Sequence, residues 1–157
     1  ERWARDFLRT LQHFYAKSVY FPSVFDKVRE AVEQEEEHFL PFCLTLPAVI
    51  KEGLDIPQEF LLQSRTGVTG KGTSLLLSLA RDLGASEVLL PYVSRKAVDW
   101  KDFEDAGIRV KFLRYEPLPY PQFWGAFVPR LSALDLLLCL GRDGRRLLEK
   151  ASREVVV

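Results

Sequence analysis

Past Gly53 the hydrophobic period of the chain changes, and the new pattern limits its folds more than any other feature. Short apolar runs at 60–64 (FLLQS), 87–90 (EVLL) and 108–113 (IRVKFL) alternate with helical stretches at 74–83 and 99–106. Strand, helix, strand, helix, strand with short joints predicts right-handed crossovers feeding a parallel sheet. The expected fold is α/β: a parallel, Rossmann-like sheet of at least three strands, with an N-terminal helical layer and C-terminal helices.

Ahead of that point the spacing is helical. Trp3, Phe7, Leu8, Leu11, Phe14 and Tyr15 recur at three- and four-residue steps and predict an amphipathic helix over 2–17. A second helix starts near Pro22, with Val24, Phe25, Val28 and Val32 on one face, and runs into the acidic stretch 33–37, read as a solvated face without function. Residues 38–52 predict a third, largely buried helix that Pro47 should kink or break. After the third strand, residues 115–129 hold four prolines and five aromatics, an ordered aromatic loop. Helices at 133–140 and from 143 to about 154 end the chain. At 157 residues this is expected to be one domain, 1–157, comprising a helical layer (1–56), a βαβαβ unit (57–115), and the aromatic loop with C-terminal helices (116–157).

Composition excludes several classes of function. Basic and acidic residues both number 22, so no global field attracts nucleic acid, and the local pair Arg145-Arg146 does not supply one. No window reaches the about 18 apolar residues of a membrane span, and the charged opening residues do not form a signal peptide, so the expected address is the cytoplasm. Cys43 and Cys139 lie in apolar runs and read as buried free thiols; with only His13 and His38 beside them, neither metal nor cofactor is expected. The chain holds no Met and opens on Glu, which predicts a lost start or a longer parent product.

The stretch GVTGKGTS at 67–74, directly before a helical run, has the look of a phosphate loop. A Walker A loop would need glycine at 65 and a hydroxyl at 72, where the chain has Arg65 and Gly72. The dinucleotide fingerprint fails too, because glycines 67, 70 and 72 present its spacing reversed. A flexible loop at a helix N-terminus remains, with Thr73 as the expected cap and Lys71 either a plain loop lysine or a contact for an anion.

Ser132-Ala133-Leu134-Asp135 ahead of an apolar run fits a capping box, in which both side chains bond backbone N–H groups, and the spacing favours that reading; the alternative is a site built on a buried Asp beside an aromatic loop. Tyr120-Pro121-Gln122-Phe123-Trp124 offers rings that stack on a sugar or base and an amide that gives and accepts hydrogen bonds. The same rings would serve to seal the end of the sheet.

Several segments taken in order resemble the WbqC-like protein family of bacteria. They are Tyr15-Ala16-Lys17-Ser18-Val19-Tyr20-Phe21, then Gly70-Lys71-Gly72-Thr73 with the helix ending Leu83-Gly84-Ala85, then Tyr120-Pro121-Gln122, Phe127, Ser132-Ala133-Leu134-Asp135-Leu136-Leu137 and Gly141. Departures are Cys139 and Leu140, where the family carries Asn before the closing Gly, Pro91-Tyr92 in place of Ser-Gly, and no counterpart of the family's His-Gln-Pro-x-Tyr-x-Pro-Trp-like N-terminal motif. The resemblance implies a role among O-antigen and other surface polysaccharides, in a transferase or ligase of sugar or amino-acid groups. The positions that match are Ser64, Gly70, Thr73, Tyr120, Gln122, Ser132 and Asp135.

An open parallel sheet binds its ligand at the carboxyl ends of its strands. That expectation gathers the 65–73 loop, the 91–96 loop and the aromatic loop around a nucleotide sugar or another anionic small molecule. Tyr120, Gln122 and Ser132 would bind and orient it, Lys71, Ser64, Gly70 and Thr73 would hold the anion, and Asp135 is the one carboxylate nominated for proton transfer. The alternative is a non-catalytic binding module, self-associating or completed by a partner chain.

Overall fold

A computed structural model describes residues 2–33 and 39–156; the acidic run beyond Glu33, and His38, lie outside the described residues. The chain divides into two compact units, Glu1–Pro57 with Pro117–Glu149, and Gln58–Glu116 with Lys150–Val157. The fold is mixed α/β and mostly helical.

The first unit is built on α1 (Arg2–Tyr15), α2 (Phe21–Glu33), α3 (Phe39–Gly53) and α6 (Ala133–Leu140). The apolar stripes of α1 and α2 bury Leu8, Leu11, Val24 and Val28 with Leu134, Leu137 and Leu138 of α6. Because α6 is apolar nearly all round, it takes the centre of this layer, and five consecutive residues of it are buried. In α3, by contrast, no described side chain is fully buried, against the expectation of a largely buried helix. Its apolar residues run right round the axis, so packing one side on α2 leaves Phe39 81% exposed and Cys43 exposed. The helix also runs unbroken through Pro47, with Thr45 Oγ1 donating to the Phe42 and Ala31 carbonyls beside it.

The second unit holds α4 (Gly72–Asp82), β1 (Glu87–Pro91), α5 (Lys101–Asp105), β2 (Arg109–Tyr115) and β3 (Ser152–Val156), the last reached through α7 (Gly144–Ala151). Strand order is β1-β2-β3. β1 and β2 are parallel, from Glu87 opposite Arg109 to Pro91 opposite Leu113, and α5 makes the crossover. β3 is antiparallel to β2, from Lys111 opposite Val156 to Tyr115 opposite Ser152. Phe103, Ile108, Val110 and Phe112 form the core of this unit with Ala80 and Val98.

Two expectations about the sheet are corrected. No strand forms at 60–64: residues 60–62 are irregular and Gln63–Arg65 is a 3-10 turn. There Gln63 Nε2 donates to the Val68 carbonyl and Thr66 Oγ1 to the Gln63 carbonyl, so side chains satisfy the backbone that a ladder would need. The third strand is instead β3, in a segment expected to finish a helix. β-branched Val155 and Val156 suit a strand, and Lys111 Nζ, 2.9 Å from both Glu87 and Glu154, ties all three strands. The sheet is therefore mixed, and the rule placing ligands at the ends of an open parallel sheet loses its premise. Among the described residues no helix is long and apolar enough to cross a membrane.

Candidate functional site

The N-terminus of α6 decides between the two readings of Ser132-Ala133-Leu134-Asp135. Ser132 is the cap: its Oγ accepts the Leu134 N–H at 3.2 Å. Asp135 completes no capping box. Its N–H donates to the Ser132 carbonyl, and its carboxylate turns away from the helix end toward α1 and the aromatic loop.

There it is met on both oxygens. Oδ1 accepts the Tyr15 hydroxyl at 2.5 Å and faces the Cys139 thiol at 3.9 Å; Oδ2 accepts the Tyr120 hydroxyl at 2.5 Å and Gln122 Nε2 at 3.1 Å. Asp135 is only 6% exposed, and a carboxylate so buried is tolerable because these donors replace its water. Its place in the first turn of α6 adds the favourable end of the helix dipole. Burial, then the hydrogen bond to Asp135, pushes the Tyr15 and Tyr120 phenols well above their ordinary range. Burial, then the charge of Asp135, pushes the Cys139 thiol up to about 12. All three stay protonated at neutral pH and act as donors. Cys139 is half-buried, while Cys43, also expected buried, is exposed.

Gln122 also shapes the loop. Its Oε1 accepts the Val128 N–H at 2.8 Å and its Nε2 donates to the Val128 carbonyl at 3.1 Å, so one amide closes residues 122–128 like a strand partner. Tyr120 packs edge-on to Phe127 and Phe123 edge-on to Tyr15. The loop ends against α1, where Trp124 Nε1 donates to the Phe14 carbonyl at 2.8 Å. The indole lies parallel to His13 at a centroid distance of 6.4 Å, with Lys17 Nζ 5.2 Å from its ring, and stays 49% exposed. A buried acidic anchor thus supports an exposed aromatic face within the first unit.

Of the expected site residues, Tyr120 and Gln122 meet Asp135, while the Ser132 hydroxyl is taken up by the helix cap. Sequence reasoning gave no site role to Tyr15 or Ser18, and named Trp124 only among the stacking rings of the aromatic loop. Ser18 is buried, its Oγ donating to the Leu138 carbonyl at 2.5 Å and accepting the Tyr20 N–H at 3.0 Å. The tyrosine, lysine and serine of residues 15–18 were the available signal, since they open the first segment of the family resemblance.

The remaining expected site residues belong to the second unit. Ser64 is exposed in the 3-10 turn, and Lys71 is exposed at the N-cap of α4 without a side-chain capping bond. Gly67, Gly70 and Gly72 all have positive φ, which explains three glycines where a phosphate signature fails. Thr73 does not cap the helix. α4 already starts at Gly72, and the Thr73 hydroxyl instead accepts the Asp99 N–H at 3.0 Å, fastening the entry to α5. Among the described residues, no group of three or more His, Cys, Asp or Glu side chains could hold a metal ion.

The chain is 28% identical over 144 residues to a Mycobacterium tuberculosis protein (strain ATCC 25618 / H37Rv) named Uncharacterized protein Rv1507c. That similarity covers 90% of this chain and 62% of the relative, so the chain spans less than two thirds of the relative's length. No solved structure matches. The WbqC-like protein family matches residues 1–147, a stretch that takes in the Asp135 cluster and the whole aromatic loop, and the chain belongs to that family.

Proposed function

We propose that this domain serves bacterial surface-polysaccharide biosynthesis by holding a sugar-linked or nucleotide-linked substrate at the aromatic face anchored on Asp135. The observation that carries the reading is Trp124: half-exposed, fixed by its Nε1 bond to Phe14, and flanked by His13 and Lys17. A rigid indole suits the apolar face of a sugar or a base, and a neighbouring ammonium suits a phosphate. In the second unit, exposed Lys71 and the backbone of the Ser64 to Gly70 loop are proposed, on their own terms, to take an anion.

With both Asp135 oxygens met by internal donors, its role is to position Tyr15, Tyr120 and Gln122. A proton passing between Asp135 and a substrate would travel through a tyrosine hydroxyl, in keeping with a transferase or ligase whose chemistry rests on positioning more than on an exposed base. That full satisfaction also favours a second reading, a sugar-binding module whose catalytic partner is another chain.

Isothermal titration against UDP-, GDP-, dTDP- and CMP-linked sugars tests the proposal. Saturable heat with one of them is expected, and Trp124→Ala should weaken it by about tenfold, the stacking of one ring. No saturable heat across the panel, or affinity indifferent to Trp124→Ala, overturns it. Binding without turnover of the donor sugar selects the module.

A further inference from the structure

On the other side of α6 the first unit contains a cavity of about 430 Å³ that the aromatic face and its Asp135 anchor do not explain. Its apolar wall is Val24, Val49, Leu137 and Leu140; its polar rim is Tyr20, Lys27, Glu52, Arg142 and Asp143. This is the size and the mixture of a small-molecule site, where apolar contacts supply affinity and a few polar groups fix orientation.

Two glycines let its wall residues pack directly on the backbone. A Cβ on Gly141 would run into the Tyr20 ring, and Gly141 sits at φ +57, ending α6. A Cβ on Gly53 would come within 2.6 Å of Leu137 Cδ2. Tyr20 and Leu137 lie against bare backbone at these points, and a side chain at either glycine would displace a wall residue of the cavity.

The rim carries charges of both signs. Lys27 Nζ is 2.5 Å from Glu52 Oε1, and Asp143 faces Arg146 at 3.8 Å. Arg142 makes no ion pair among the described residues. The hydrogen bond and charge of Lys27, with a smaller contribution from Arg142, hold the Glu52 carboxyl below its ordinary range. Two cations, Lys27 and Arg142, face two carboxylates, Glu52 and Asp143; Lys27 is paired with Glu52 and Asp143 lies toward Arg146, which leaves Arg142 to meet an anion.

We propose that this cavity is a second binding site, separate from the aromatic face, for a small amphipathic anion: an aromatic or branched aliphatic body seated on Val24, Val49 and Leu137, with a carboxylate, sulfonate or phosphate at Arg142. The site stands or falls independently of the sugar-linked reading, because it shares no residue with it.

The probe is 8-anilinonaphthalene-1-sulfonate, which has this chemistry and becomes fluorescent in an apolar site. The chain should bind one equivalent saturably. Arg142→Gln should weaken binding about tenfold, as loss of one charge-assisted contact would, and should lower its salt dependence. Ser23→Trp, at an exposed position on the cavity lining, should block binding without disturbing the core. Trp124→Ala should leave the affinity unchanged. Binding insensitive to Arg142→Gln and Ser23→Trp, or lost with Trp124→Ala, places the probe elsewhere and overturns the proposal. Circular dichroism and urea midpoints of the two cavity variants show that any loss is local.

Discussion

Asp135 sets how the first unit responds to pH, through the phenols that donate to it. Tyr15 and Tyr120 have folded pKa values raised above their ordinary 10.0, chiefly by burial and then by Asp135. Above about pH 10 the unfolded chain therefore loses these protons before the folded chain does, so their stabilisation is complete below that pH and lost as pH rises further. Urea midpoints should fall more steeply above about pH 10 for the wild type than for Tyr15→Phe/Tyr120→Phe. At neutral pH each Phe substitution should cost about 1.5–3 kcal/mol, the worth of a hydrogen bond to a charged group. Identical alkaline slopes would mean that these phenols ionise as freely in the fold as out of it. Ser132 and Asp135 were legible as a pair, but their spacing is the same whether Asp caps the helix or anchors a loop. The deciding partner, Tyr15, stands 120 positions away, and no local pattern reports that distance.

Helix α6 and strand β3 show where local pattern governs an element and where it does not. α6 takes the predicted bounds because every local signal agrees: a Ser cap, an unbroken apolar run and a closing Gly141. β3 was misread because Arg146 to Glu149 is helical, and only pairing with β2 turns Ser152–Val156 into a strand. Helix α3 is the intermediate case, where neighbouring contacts carry a helix through a residue that opposes it. Pro47 is exposed, and having no N–H it leaves the Cys43 carbonyl without its helical donor. Pro47→Ala should therefore stabilise the chain by about 1–3 kcal/mol in urea denaturation, since a good helix former replaces a breaker and no packing is lost. No gain would show that a local bend already lets water reach that carbonyl.

At the level of the whole chain, the two units own separate cores, one around Leu8, Val28 and Leu137 and the other around Phe103 and Phe112. The change of period after Gly53 is the sequence's trace of the first crossing between them, at Pro57. The return was hidden, because the second unit is finished by the last residues of the chain, beyond the helix that leads to them. Without β3, β2 keeps only its parallel neighbour β1, and Lys111 loses Glu154. A two-stranded parallel sheet is marginal on its own, and the edge of β2 would present unpaired N–H and C=O groups to other chains. Truncation after Ala151 should therefore lower hydrogen-exchange protection of the amides from Arg109 to Tyr115, and with it that of the Phe103 and Phe112 core. Leu8, Val28 and Leu137 should keep their protection, because none of their core neighbours is in β3. Mass spectrometry of exchanged peptides separates the outcomes: uniform loss across the chain means that the two units unfold as one, and no loss at β2 means that β3 is dispensable to the sheet.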